Sequence, residues 1–341
     1  MRLDSVFGRY DSSGVSEVSE NDSSRGERDY RRACCVTYNS GRRLVIKIAK
    51  DCFTTGERIQ GWNDLIERYN RAGIYAPKIV ADTGGQICFW ESGYMVYAEE
   101  YKRFLCADEF TPKVEPREYE ADVYRMIGKI AALPPTIVRW NSAYSLYDTF
   151  CEEDFAAENY ECAEEWWRIF QWAAPEKRAV VDQIWNTYLR IRQELETEYR
   201  ALPKTAFQAD LNHTNIMLDD KRHFAGITDF KLSGTETILN YALCECVASI
   251  TGESDLGELT SPEFLEQQDR ILQRRMGFIK EHYDFSEAER QAYQRLYNMV
   301  VPFRWSSFAA FRRAVTRRQE EHYHDIVDWV AYQITRTDLS L

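Results

Sequence analysis

The sequence predicts an α+β fold with a small strand-rich part over residues 1–101 and a larger, mainly helical part over 102–341. Two observations carry that division. Up to Tyr101, short apolar and β-branched runs alternate with polar or glycine turns, interrupted by one helical period. Beyond it, apolar residues recur every three or four positions over long stretches. The exception is the stretch Phe207–Lys231, which reads as a hairpin inside the helical part.

In the first part, Val6–Tyr10, Ala33–Tyr38 and Leu44–Ile48 read as strands, with Asn39-Ser40-Gly41 as a turn. Asp11 to Arg25, rich in Ser, Asn, Asp and Gly, reads as a loop between the first two strands. Small residues such as Ser13 and Gly14 let backbone N–H groups approach anionic oxygens, so this loop is a candidate phosphate cover. It lacks the G-x-G-x-x-G pattern. A helix follows from Thr55 or Gly56 to Arg71, with Ile59, Trp62, Ile66 and Tyr69 facing inward and Gly73 as its stop. Pro77–Val80 begins another strand, and Ile87–Trp90 continues the sheet after a turn at Gly84-Gly85. Tyr94–Ala98 is the last strand of a five-strand sheet, with Glu99-Glu100-Tyr101 as its exit.

In the second part, Pro116 opens a helix that Pro134-Pro135 ends, and Val181 to Tyr199 trace a long amphipathic helix. Leu239–Ile250, Phe264–Tyr283, Ser286–Val300 and Arg304–Ile334 are helical by period, with Ser286-x-x-Glu289 as a capping box. Trp140–Ala174, rich in tryptophan, tyrosine and acids, is left without an assigned element.

The chain has 341 residues and is 44% hydrophobic and 29% charged, the balance of a soluble globular protein with a large core. No run approaches the ~20 apolar residues of a membrane span. Met1–Ser5 lacks the basic and apolar regions of a signal peptide, so a cytoplasmic location is expected. The nine cysteines have no zinc-finger spacing and read as free thiols in a reducing compartment. A net charge of −12 argues against nucleic acid as a partner and suits a cationic small substrate as well as plain solubility.

The hairpin stretch reads F-Q-A-D-L-N-H-T-N-I-M-L-D-D-K-R-H-F-A-G-I-T-D-F-K. Asn215–Leu218 and Phe224–Thr228 are its strands, and Asp219–His223 its turn. Closure about Lys221 and Arg222 sets Asn215 opposite Thr228 and beside Asp229. Two hard oxygen ligands then lie together, with the carboxylate of Asp210 one loop away. A magnesium ion bridging phosphate oxygens needs such a set. Lys47, a cation in an otherwise apolar strand, stands in the setting where a strand lysine grips nucleotide phosphates.

Taken in order, Lys47, the acidic exit segment, Q-A-D-L-N-H-T-N-I-M-L and I-T-D-F resemble the aminoglycoside phosphotransferase and choline kinase group, relatives of protein kinases by fold. Members of that group carry H-G-D-L-x-x-x-N-I-L-V, a short turn, and I-D-F or I-D-W. The resemblance implies a two-lobed protein-kinase-like fold, with an antiparallel sheet and one helix in the nucleotide-binding lobe, 1–101, and the catalytic loop 207–230 in the helical lobe. It implies a phosphotransferase moving the γ-phosphate of ATP or GTP to a hydroxyl of a small molecule, such as an aminoglycoside or another cationic amino-alcohol, with Mg2+. Asp210 takes the place of the catalytic aspartate, holding the hydroxyl in line and accepting its proton late. Asn215 and Asp229 match the metal ligands, and Lys47 the lysine on the α- and β-phosphates. Glu99, Glu100 and Tyr101 match the segment whose backbone reads the adenine edge.

Four departures stand out. Gln208 replaces the usual histidine, Lys231 a small or acidic residue, and Asn240 an aspartate. The helix after Lys47 places Trp62 near the position of an acidic partner, with Glu57, Asp64 and Glu67 around it. These departures motivate an alternative, a non-catalytic kinase-like protein that binds a ligand or partner.

Overall fold

The computed structural model describes residues 2–26, 28–250 and 253–341. In chain order its elements begin with helix α1 (Leu3–Gly8), strands β1 (Val15–Asp22), β2 (Tyr30–Tyr38) and β3 (Arg43–Lys50), and helix α2 (Gly56–Arg71). Strands β4 (Ile79–Val80), β5 (Cys88–Glu91), β6 (Tyr94–Glu100) and β7 (Leu105–Cys106) follow, then helices α3 (Glu120–Ala132), α4 (Glu158–Ala173) and α5 (Arg178–Ala201). Next come β8 (Lys204–Phe207), β9 (Ile216–Leu218), β10 (Phe224–Ile227) and β11 (Gly234–Thr237). The chain closes with helices α6 (Ile238–Cys246), α7 (Glu253–Leu256), α8 (Pro262–Lys280), α9 (Glu287–Val300), α10 (Trp305–Thr316) and α11 (Tyr323–Thr335).

Two compact units result. The first comprises Met1–Tyr119, Cys151–Glu153 and Asp210–Ser233. The second comprises Glu120–Phe150, Asp154–Ala209 and Gly234–Leu341. The first therefore takes in the hairpin β9–β10, which a boundary at residue 101 assigns to the helical part. The reason lies in the backbone: the Ile227 N–H donates to the Tyr75 carbonyl at 2.9 Å, joining the hairpin to the segment after α2.

In the first unit, β1, β2, β3, β6 and β4 form one antiparallel sheet in that order, with β5 also on β6. Alternation sets its two faces. Cys34, Val36 and Tyr38 of β2, Leu44, Ile46 and Ile48 of β3, and Val96 and Ala98 of β6 bury one face against Val6, Phe7 and Tyr10. The intervening residues of β3 and β6, among them Lys47, Tyr97 and Glu99, occupy the other face, where Trp62 of α2 packs on Tyr97 with ring centroids 5.8 Å apart. Thr55 caps α2 by accepting from the Arg58 N–H.

Several expectations are corrected here. Val6–Tyr10 is no strand: Leu3, Val6, Phe7 and Tyr10 recur at helical spacing, and α1 turns that stripe onto the sheet. The predicted loop 11–25 contains β1, an edge strand exposed along most of its length, so nothing in its polar sequence alternates. The sheet has six strands where five are expected, because β4 and β5 pair with β6 as separate strands. The continuous helix over 304–334 breaks at Arg318, which takes a φ of +57° between α10 and α11. Cys52 and Cys151 are disulfide-bonded with Cα atoms 6.0 Å apart, although 99 residues separate them. Cys34, Cys35, Cys88, Cys106, Cys162, Cys244 and Cys246 are free, as the reading of thiols expects.

The second unit is a helical assembly around α5, whose buried Val181, Ile184, Tyr188, Ile191, Leu195 and Tyr199 face inward. The unassigned aromatic-rich stretch contains α4, which buries Cys162, Ala163, Trp166 and Phe170. Ser286 and Glu289 form the expected reciprocal cap of α9. A short antiparallel pair, β8 with β11, leads into α6, and Phe207 stacks on Tyr241 with centroids 4.0 Å apart. Among the described residues no helix is long and apolar enough to cross a membrane.

Asp82 ties α1 to the sheet. Its Oδ2 accepts from Arg9 Nη2 at 2.6 Å and Nε at 3.0 Å, and its Oδ1 from the N–H groups of Gly84 and Gln86 at 2.9 and 2.8 Å. Burial disfavours the charge, but the Gln86 N–H and the Arg9 guanidinium outweigh it and hold the carboxyl below the usual aspartate value. A depressed carboxyl contributes stability above the ordinary value of ~4 and loses it as pH falls through the folded value. Asp82→Asn is therefore expected to lower stability at neutral pH by roughly 2 kcal/mol. In melting curves against pH, the gap from wild type should close below about pH 4.

Candidate active site

Lys47 lies mid-strand in β3, opposite Tyr97 on β6. Glu99, two residues beyond Tyr97, shares that face, and its Oε1 lies 2.8 Å from Lys47 Nζ. Both side chains are nearly buried, at 13% and 10% exposure. Lys47 Nζ also sits 5.8 Å from the centroid of the Tyr97 ring. Burial works against the ammonium, but Glu99, Tyr97 and Asp229 outweigh it and hold its pKa well above the ordinary lysine value. The helix contributes no acid to this face: Trp62 is buried there, while Glu57, Asp64 and Glu67 lie on the exposed side of α2.

The loop before β9 is wound tightly. Ala209 and Asp210 take φ values of +59° and +71°, in the left-handed region that few non-glycine residues occupy. The Asp210 carbonyl accepts from the Asn212 N–H at 2.9 Å and from Asn215 Nδ2 at 2.9 Å, and Asn215 Nδ2 lies 3.3 Å from Asp210 Oδ2. Asn212 in turn accepts from the Thr214 N–H at 2.9 Å through Oδ1 and from the Asn215 N–H at 2.9 Å through its carbonyl. This web fixes the Asp210 carboxylate relative to Asn215.

The hairpin pairs Ile216 with Ile227 and Met217 with Gly226, and a bulge at Ala225 shifts the pairing to Leu218 with Phe224. The Thr228 N–H donates to the Asn215 carbonyl at 2.9 Å, so Asn215 stands opposite Thr228 and next to Asp229. Asp219 closes the turn by accepting from the Lys221 and His223 N–H groups.

Asp229 also takes a positive φ, +58°. Burial would raise its carboxyl pKa, but Lys47, then Lys231 and its N–H, together hold it below the usual carboxylate range. The Lys231 N–H reaches Asp229 Oδ1 at 3.3 Å. Phe230 is buried edge-on against Tyr69 of α2, with ring centroids 5.4 Å apart. Burial, and secondarily Lys47 and Arg31, press the Lys231 ammonium toward neutrality, whereas Asp229 and Asp51 favour its charge.

A magnesium ion fits this donor set. The Asn215 amide nitrogen faces Asp210, so its hard Oδ1, met only at 3.4 Å by the Thr214 hydroxyl, offers a lone pair to a cation, and Asp229 supplies an ionised carboxylate. A second acidic group, Cys106, Asp108 and Glu109, already holds the Lys102 ammonium, which contacts Cys106 Sγ at 3.3 Å and pairs with Glu109.

Other expected site residues lie as follows. Ser13 and Gly14 bind the turn between β2 and β3: Ser13 Oγ accepts from the Ser40 N–H, and the Gly14 carbonyl accepts from the Asn39 N–H. In register, Lys47 aligns with Ala33 and hence Asn21, six residues beyond Val15. At ~3.3 Å per residue, Ser13 and Gly14 therefore lie about 20 Å along the sheet from Lys47, and they do not cover it. Glu99 and Glu100 end β6, with Tyr101 just beyond. The Glu100 N–H is committed to the Lys78 carbonyl at 2.8 Å, and Arg43 covers the Tyr101 ring at 3.6 Å. Gln208 is fully buried. His213 braces the loop through Nδ1, 2.5 Å from the Tyr119 hydroxyl.

Sequence reading missed two charged groups at this site. The Glu99 side chain partners Lys47, a fact that only the β3–β6 register reveals. Arg31 of β2 acts electrostatically on both Asp229 and Lys231, from a strand end ahead of the expected start at Ala33.

Gly226 accounts for the hairpin's seat. A Cβ there would lie 2.0 Å from the Tyr75 carbonyl oxygen, which accepts the Ile227 N–H. Gly226→Ala is expected to cost roughly 2–3 kcal/mol in denaturant unfolding, because backbone must move to admit the methyl group.

The profile of the phosphotransferase enzyme family matches residues 29–240, more than half of the chain. No curated protein matches the sequence. Among solved structures, spectinomycin phosphotransferase APH(9)-Ia in complex with ADP and spectinomycin is similar over 97% of each chain, with a TM-score of 0.52 and 8% identity. An aminoglycoside phosphotransferase from Alicyclobacillus acidocaldarius is similar over 96% of this chain and 95% of its own, at TM-score 0.53 and 10% identity. Amicoumacin kinase hAmiN, in complex with AMP-PNP, Ca2+ and Ami, is similar over 99% of this chain and 98% of its own, at TM-score 0.50 and 15% identity. At such identities the likeness establishes the fold, which these kinase-like enzymes share.

Proposed function

Because the chain belongs to the phosphotransferase enzyme family, we propose that it transfers the γ-phosphate of ATP or GTP to a hydroxyl of a small molecule, with magnesium. The family and the fold support small-molecule phosphotransferase activity. The observation that carries the finer reading is the web around Asp210, in which Asn215 is held by the Asp210 carbonyl and the register sets it beside Asp229.

In this reading Asp210 accepts a hydrogen bond from the acceptor hydroxyl and holds its oxygen in line with the γ-phosphorus. The oxygen–phosphorus bond forms as the bond to the β–γ bridging oxygen breaks. The nucleoside diphosphate leaves, and the hydroxyl proton passes late to the Asp210 carboxylate. Lys47 pairs with the α- and β-phosphate oxygens. Asn215 Oδ1 and the Asp229 carboxylate would hold the metal, which would supply charge neutralisation for the phosphate oxygens. Tyr101 and the end of β6 lie at the nucleotide base, with Glu100 contributing only its carbonyl. A net charge of −12 favours a cationic acceptor, such as an aminoglycoside or another amino-alcohol.

Nucleotide turnover against a panel of hydroxyl compounds tests this reading. Wild type should consume ATP or GTP with at least one acceptor, and Asp210→Asn should lose on the order of 10²-fold or more in kcat. Chelation of magnesium should abolish turnover. Equal turnover by Asp210→Asn and wild type would refute the assigned role.

A further inference from the structure

The group that fixes Lys47 comes from the sheet. In protein kinases the phosphate-binding lysine pairs with a glutamate on the helix that follows it, and moving that helix controls the pair. Here the facing position of α2 carries Trp62, 2% exposed and packed on Tyr97, while Glu57, Asp64 and Glu67 point away. Glu99 reaches Lys47 from the neighbouring strand at 2.8 Å.

We propose that the Glu99 carboxylate is the positioning residue for Lys47, fixing its ammonium for the nucleotide phosphates in place of a helix glutamate. The inference rests on the phosphotransferase reading. Its geometry is that of the β3–β6 ladder, in which Val45 faces Glu99 and Lys47 faces Tyr97. A ladder does not swing as a helix does, so Lys47 is held in place without nucleotide. Glu99 also directly precedes Glu100 and Tyr101, so one strand end sets both the base-reading backbone and the phosphate-gripping charge.

The pair has a second consequence. Besides Glu99, the Tyr97 hydroxyl and the carboxylate of Asp229, a proposed metal ligand, act electrostatically on Lys47. Removing the Glu99 charge leaves Lys47 drawn toward Asp229, in competition with magnesium. Loss of Glu99 therefore weakens nucleotide binding and also raises the magnesium requirement. A purely structural carboxylate would change stability without moving the magnesium midpoint.

The test measures ATP affinity by calorimetry, first in a chelator and then across a magnesium titration, for wild type, Glu99→Gln, Glu99→Asp and Glu67→Gln. Glu99→Gln preserves shape and is expected to bind metal-free ATP on the order of tenfold more weakly. Its magnesium midpoint should lie higher. Glu99→Asp keeps the charge but shortens the reach, and should fall between Glu99→Gln and wild type. Glu67→Gln, an exposed helix acid, should match wild type. If Glu99→Gln proves unfolded, Glu99→Asp decides on the same two readouts. ATP affinity and magnesium midpoint unchanged by loss of Glu99 would overturn this inference alone. Failure of wild type to bind ATP at all would overturn the phosphotransferase reading, and this inference with it.

Discussion

An ammonium placed in the middle of a β-sheet costs several kcal/mol in lost hydration unless a counter-charge meets it at close range. The Lys47–Glu99 pair meets that demand, and much of the first unit is arranged around it. The two residues face each other only because β3 and β6 pair in one register. A slip of one position would turn Glu99 to the opposite face, toward Ile46 and Ile48 of β3, and leave Lys47 uncompensated. The apolar face of the sheet thus protects the polar one, because the same slip would expose its core residues. With the acid supplied from the sheet, α2 is free to bury Trp62, Ile59, Ile66 and Tyr69 as packing. Tyr69 in turn supports Phe230, one residue from Asp229.

The hairpin β9–β10 obeys a second constraint. Its seat is a backbone hydrogen bond from Ile227 to Tyr75, and only a glycine at 226 permits that approach. From this seat the chain departs in both directions into left-handed backbone, at Ala209 and Asp210 on one side and at Asp229 on the other. Such conformations persist where hydrogen bonds over-determine them, and here the Asp210 carbonyl accepts two. The positions of Asp210, Asn215 and Asp229 are therefore backbone properties, and their side chains need little further restraint.

Most of the fold and the catalytic loop were legible in the sequence because the signals are local. A helix period, a capping box at Ser286 and Glu289, and a turn flanked by two apolar runs each lie within one short window. The misreadings have local causes too. Val6–Tyr10 is too short for periodicity to separate strand from helix without Leu3, and β1 is an exposed edge whose polar residues alternate with nothing. What stayed hidden was non-local. The carboxylate that partners Lys47 depends on strand register, the Cys52–Cys151 bond spans 99 residues, and the offset of Ser13 and Gly14 from Lys47 depends on where β1 starts. Gln208 and Lys231 were visible as departures. The structure buries the first and places the second among charges of both signs around Asp229.

The most direct measurement is phosphorus NMR of wild-type protein incubated with magnesium, ATP and a set of cationic amino-alcohols. The account predicts that ATP declines to ADP while a phosphate-monoester resonance appears on at least one acceptor. ATP and GTP that bind but persist unchanged with every hydroxyl acceptor would contradict it, and would mark this fold as a nucleotide-binding module without transfer chemistry.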